Sequence, residues 1–186
     1  MIAGLDSRPR LSGGLGSRLH IVGGPGSGKT TLARRLAHLL QVPVYDLDTI
    51  AYQGGAGPAR DPARRRADAE AIARQPGWIT EGIYLDSWCA PLAERADRIV
   101  WLDVPWHVAV VRIVGRHVLL SLAGTNRHPG LLKLARFVWA TRRFYRAPSA
   151  TAAWLASYRH KLSHCRTCRD LAALLNEAAQ HAPPEA

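Results

Sequence analysis

One run in this chain can hold an anion by its backbone alone. Gly23-Gly24-Pro25-Gly26-Ser27-Gly28-Lys29-Thr30-Thr31 places glycine, four residues, glycine, lysine and threonine in that order. Glycines let successive N–H groups converge on a phosphate without a Cβ in the way. A helix opening at Lys29 adds the positive end of its dipole. The lysine ammonium reaches the β- and γ-phosphates of a nucleotide, and the threonine hydroxyl can ligate Mg²⁺. This is the P-loop pattern. It predicts ATP and Mg²⁺ as ligands, with Gly24, Pro25, Gly26, Ser27, Gly28, Lys29, Thr30 and Thr31 around the phosphates and Thr30 on the metal.

Four carboxylates follow apolar runs: Asp46 and Asp48 after VPVY, Glu81 after WIT, and Asp103 after RIVWL. In open α/β sheets ligands bind at the carboxyl ends of strands, so each is a candidate for the site and equally for a turn or cap. Arg112 and Arg116 are four apart and share one helix face, and Arg142, Arg143 and Arg146 close a later amphipathic stretch. These read either as phosphate ligands or as a solvated basic face.

The elements that must position these groups alternate. Leu19–Val22 is strand-like, and Leu32, Leu36, Leu39 and Leu40 share one helix face before Pro43. Val42–Leu47 is a second strand. After the loop 53–60, Asp61-Pro62 reads as cap and first position of a helix reaching Gln75. Trp78–Thr80 and Arg98–Leu102 are further strands, with a short helix over 86–96 between them. Helices are expected over 106–120, 131–146, 149–160 and 168–180, with a fifth strand over Leu162–Arg166. Strand–helix alternation implies a parallel sheet covered on both faces. The expected fold is a three-layer α/β P-loop NTPase fold, with a central parallel sheet of about five strands and a helical lid inserted. Residues 1–17 read as a flexible lead-in, 18–182 as a single kinase-like domain, and 117–147 as the lid, because that segment breaks the strand–helix rhythm. Trp78, Trp101 and Trp106 read as core, whereas Trp139, Phe144 and Tyr145 read as helix packing or contacts to a base.

The segments GGPGSGKTTLARRLA, ADRIVWLDVP and VVRIVGR resemble the adenylate-kinase-like P-loop kinases, and VYDLDTI with WITEGIY resembles the topology modulation proteins within them. The resemblance runs from about residue 19 to residue 180. It implies an ATP-dependent phosphotransferase acting on a small acceptor such as a nucleoside or nucleotide. The alternative it carries is a nucleotide-regulated nucleic-acid-binding protein. By this resemblance Asp48 holds or deprotonates the acceptor and Glu81 orients Mg²⁺, in a place where aspartate is expected. Arg112 stacks on the base, Arg116 contacts the transferring phosphate, and Arg142, Arg143 or Arg146 swing in on lid closure. The Phe-Pro-Arg that grips an acceptor phosphate in adenylate kinases is replaced by Ile83-Tyr84-Leu85, and ARDPARRR at 59–66 reads either as a substitute or as a solvated helix start.

The formal charge of the 186-residue chain is +11, from 25 Lys and Arg against 14 Asp and Glu. That favours anionic partners and allows weak, sequence-independent contact with nucleic acid. An apolar stretch long enough to span a membrane is missing, as is a signal-peptide core, so a cytoplasmic protein without a membrane partner is expected. Three cysteines make no disulfide framework. Cys165 and Cys168, beside His160 and His164, either bind zinc or end the last strand and start the last helix.

Overall fold

A computed structural model describes residues 15–124, 130–146 and 148–181. The elements run β1 (Arg18–Gly23), α1 (Lys29–Leu40), β2 (Val44–Asp46), α2 (Leu47–Ala51), α3 (Pro62–Ala73), β3 (Trp78–Gly82), α4 (Ala90–Arg95), β4 (Arg98–Leu102), α5 (Trp106–Leu122), α6 (Leu131–Arg146), α7 (Pro148–Ala156), β5 (Leu162–Cys165) and α8 (Cys168–Gln180). The five strands form one parallel sheet in the order β2-β3-β1-β4-β5.

Period-two alternation divides the core between the two faces. Leu19, Ile21, Ile79, Val100 and Leu102 pack with Leu32 and Leu36 of α1 and Leu174 of α8. Val22, Trp78, Ile99 and Trp101 pack with Leu47 of α2, Ile72 of α3, Leu92 of α4 and Leu155 of α7. The result is the three-layer α/β arrangement expected from the sequence.

Local chemistry shifts some boundaries. The second strand stops at Asp46 because the Asp46 carboxylate accepts the Asp48 N–H at 2.9 Å and caps α2. The expected strand over Val42–Leu47 is therefore a three-residue strand turning directly into a helix. Asp61 caps α3 as expected, accepting from the N–H groups of Ala63 and Arg64. Thr167 and Asp170 cap α8 reciprocally. The lead-in expected over 1–17 is shorter at its inner end. Leu15 is buried, and the Ser17 N–H donates to Asp97 at 3.1 Å. Residues 1–14 lie outside the described residues. Cys165 closes β5 and Cys168 opens α8, and the described residues hold no group of three His, Cys, Asp or Glu placed to bind a metal ion. Among the described residues, no helix is long and apolar enough to cross a membrane.

Candidate active site

The neighbours β2-β3-β1-β4 bring the ends of four strands together where the strand order switches around β1. The loop after β1 opens into a cavity of about 730 Å³. Gly24 and Gly26 are glycines for steric reasons. Gly26 has φ of +77°, and a Cβ there would lie 2.6 Å from the Ala109 carbonyl oxygen of α5. A Cβ at Gly24 would lie 2.7 Å from the Tyr145 ring.

The N-terminus of α1 is built to receive an anion. Gly28 precedes it with φ of 98°, no side chain caps it, and its first turn carries no acidic residue. In contrast α2, α3 and α8 are capped by Asp46, Asp61 and Thr167. The first-turn N–H groups of α1 have no partner within the helix and face the cavity. The Ser27 hydroxyl is buried in the same loop without a hydrogen-bond partner.

Lys29 donates to the Gly24 carbonyl at 3.3 Å. Burial lowers its pKa, and Arg116 adds to that; Glu81, Asp48 and Asp46 pull it back up. Thr30 donates its hydroxyl to Glu81 Oε1 at 2.6 Å. Glu81 is buried at the end of β3, in register with Asp46 on β2. Burial raises the Glu81 pKa, opposed by the Thr30 hydrogen bond and the Lys29 charge. A hydroxyl, a carboxylate and a nearby ammonium are hard donors and countercharge of the kind that Mg²⁺ and phosphate oxygens take. Few protein ligands are needed, because Mg²⁺ keeps several waters and substrate oxygens. The residues fit the ion.

Asp46 and Asp48 line the same cavity. Tyr84 donates its hydroxyl to Asp48 Oδ1 at 2.6 Å and packs tilted against Trp88, 5.3 Å between centroids. Burial raises the Tyr84 pKa, and the Asp48 carboxylate raises it further. Tyr84 therefore stays a proton donor, which fixes the Asp48 carboxyl in one orientation. The sequence contained Tyr84 only as part of a motif. Its pairing with Asp48 crosses 36 residues, with α3 and β3 between them, which no spacing rule reveals.

The arginines divide. Arg116 lines the cavity, as does Arg35 of α1, which the sequence had not singled out. Arg112 also lines it, and its Nη1 donates to the Ser27 carbonyl at 2.7 Å, which ties α5 to the phosphate loop. Arg142 stands outside the cavity, 5.8 Å over the Trp106 ring. That corrects one expectation, since Trp106 is a partly exposed cation platform and not core. The side chains of Arg143 and Arg146 lie outside the described residues. Tyr145 donates to the Pro25 carbonyl at 2.9 Å, so α6 ends on the phosphate loop. Trp139, in the same helix, is exposed.

The other candidates serve the frame. Asp103 pairs with His164 at 2.9 Å and Arg166 at 3.6 Å, tying β4 to β5. Arg60 is held by Asp68 and the Ile50 carbonyl, Arg66 by Glu70, and Arg65 lies over Trp88. None of these three lines the cavity, so the 59–66 run does not replace the missing acceptor arginine there.

No protein-family model matches the chain, and no curated protein matches it in sequence. Solved structures match in fold. A gluconokinase from Sinorhizobium meliloti 1021 has a TM-score of 0.53 at 16% identity, covering 91% of this chain and 93% of that one. A shikimate kinase from Bacteroides thetaiotaomicron scores 0.54 at 14% identity, over 88% and 96%. Shikimate kinase from Acinetobacter baumannii, solved with shikimate, scores 0.54 at 20% identity, over 87% and 90%. At such identities the likeness is one of fold: the chain has the three-layer α/β P-loop kinase fold.

Proposed function

We propose that the protein transfers the γ-phosphate of ATP to a hydroxyl of a small acceptor. The observation that carries this reading is the Thr30–Glu81 contact of 2.6 Å beside the uncapped start of α1, with Asp48 lining the same cavity. A cation site, a phosphate cradle and a carboxylate near an acceptor position are the parts phosphoryl transfer uses. The structural neighbours, a gluconokinase and shikimate kinases, support a small-molecule acceptor.

Each residue then has a task. The N–H groups of Gly26 to Thr31 orient the phosphates. Lys29 neutralises charge on the β- and γ-oxygens, and Arg116 adds a second cation on the γ side. Thr30 and Glu81 hold Mg²⁺, which supplies charge neutralisation when bound. Asp48, oriented by Tyr84, accepts the acceptor hydroxyl proton or fixes its direction. Phosphoryl transfer needs positioning and charge neutralisation more than a strong base. The C-terminal half of α5 and α6 act as the lid, hinged where Tyr145 meets Pro25, and closure excludes water from the cavity.

The position after Gly82 that carries the acceptor-phosphate arginine in adenylate kinases holds Ile83-Tyr84-Leu85, and no arginine of the 59–66 run lines the cavity. This favours a sugar-like, alicyclic or nucleoside hydroxyl over a nucleoside monophosphate. The likeness to topology modulation proteins rests on VYDLDTI and WITEGIY, and we assign any nucleic-acid affinity to charge alone. ADP release with ATP·Mg²⁺ and a panel of polyols, alicyclic acids, nucleosides and nucleotides tests the reading. Turnover with one acceptor class is expected. No acceptor-dependent ADP release across the panel overturns it.

A further inference from the structure

The charge of the chain is not evenly spread. From Val104 to Arg169 there are twelve Lys and Arg and no Asp or Glu, whereas the rest of the chain has thirteen and fourteen. The described part of this segment also carries the most exposed apolar side chains in the structure. Leu122 and Leu131 are each 80% exposed and Trp139 is 76% exposed, with Leu119 and Leu132 close behind. The last buried residue of α5 is Ile113. The nine residues beyond it carry the helix about 13 Å farther. Leu119 and Leu122 at the end of α5 and Leu131 and Leu132 at the start of α6 thus mark the outer end of a helical hairpin. Its inner end, Ala109 and Tyr145, rests on the phosphate loop.

On α6 the two chemistries share one stripe. Leu132, Arg136 and Trp139 follow at intervals of four and three, while Leu134, Val138 and Thr141 fall on the more buried side. Leucines at the tip, with a guanidinium and then an indole farther along the same face, match an interfacial surface. The apolar groups enter the acyl boundary, tryptophan settles at the headgroups, and cations meet lipid phosphates.

We propose that the tip of the α5–α6 hairpin docks on an anionic phospholipid bilayer. The charge argues against a second copy, because two such hairpins, 106–146, would bring eight cations against eight without one carboxylate between them. Duplex nucleic acid would be attracted by the arginines, but its phosphates offer nothing to Leu119, Leu122, Leu131 and Leu132. The expectation of no membrane partner came from the missing span, and a peripheral contact needs no span.

Cosedimentation of the full chain with vesicles tests this. Phosphatidylcholine vesicles containing phosphatidylglycerol should bind the protein, and pure phosphatidylcholine vesicles should bind it far less. Leu122→Ser, Leu131→Ser and Trp139→Ser together should weaken binding to the anionic vesicles by about tenfold or more. The exposed positions leave the thermal melt unchanged, which is the control for folding. Trp139→Phe alone should abolish a vesicle-induced blue shift of the indole emission. No binding to anionic vesicles overturns the proposal. So does equal binding by the triple variant, which would make it adsorption by charge. Duplex DNA affinity or dimerisation that falls with the same three substitutions, without vesicle binding, gives the face to those partners instead.

Discussion

Tyr84 and Asp48 meet at 2.6 Å, hydroxyl to carboxylate, and Asp48 lines the cavity that the phosphate loop opens into. One comes from the loop after β3 and the other from α2. The bond leaves the second Asp48 oxygen for an acceptor and fixes its direction. Tyr84→Phe should lower kcat/KM for the acceptor by about tenfold, the scale of a lost hydrogen bond to a charged group. ATP affinity should not move. Steady-state kinetics with acceptor and ATP varied separately checks this.

Glu81 is in the position where the resemblance expects aspartate, and the structure shows what the longer side chain reaches. Glu81→Asp draws the carboxylate back by one methylene and opens the 2.6 Å contact to Thr30. The Mg²⁺ concentration for half-maximal activity should rise by about tenfold, with ATP still bound. Glu81→Gln should cost more at saturating Mg²⁺, because it removes the charge and keeps the size. A Mg²⁺ titration of both variants separates reach from charge.

His20 lies fully buried beneath Trp154, with Nδ1 2.8 Å from Thr80 Oγ1 and no partner for Nε2. Burial lowers its pKa from 6.5 to about 4, and Lys161 pushes the same way. The unfolded chain therefore takes up a proton near pH 6.5 that the fold refuses. Stability is fully present above that pH and declines as pH falls towards about 4, by about 3 kcal/mol in all. Urea melts between pH 7 and pH 4 should show the decline, and His20→Gln should flatten it.

The lid reading predicts a gradient of hydrogen exchange. Without nucleotide, amides of α6 should exchange faster than those of β4, which is buried throughout. A non-hydrolysable ATP analogue with Mg²⁺ should slow α6 and the second half of α5. Equal protection in both states would make these helices fixed packing.

Much of this was legible in the sequence. Gly26, Gly28, Lys29 and Thr30 are adjacent, so their chemistry is written in local order. Leu19–Val22 was legible as a strand, and the structure divides it between the two faces of the sheet, Leu19 and Ile21 on one and Val22 on the other. Asp61-Pro62 marked a helix start that the structure keeps. What was hidden depends on distant pairing. The assignment of Arg112 to the Ser27 carbonyl, Arg142 to Trp106, Asp103 to His164 and Tyr84 to Asp48 requires helices and strands to be in place first. The end of β2 was misplaced for a local reason: Asp46 caps the next helix, and a carboxylate after an apolar run looks the same whether it ends a strand or starts a helix.

The central claim is that the loop from Gly23 to Thr31 binds ATP·Mg²⁺ and that Lys29 neutralises its terminal phosphates. Isothermal titration of ATP·Mg²⁺ into the wild-type protein and Lys29→Ala tests it most directly. The side chain's one hydrogen bond is to the Gly24 carbonyl, so the variant should keep its fold and its circular dichroism. Wild type should bind, and Lys29→Ala should bind at least about tenfold more weakly, consistent with loss of a charge-assisted contact. Equal affinity in the two proteins, or no binding by wild type, would contradict the account.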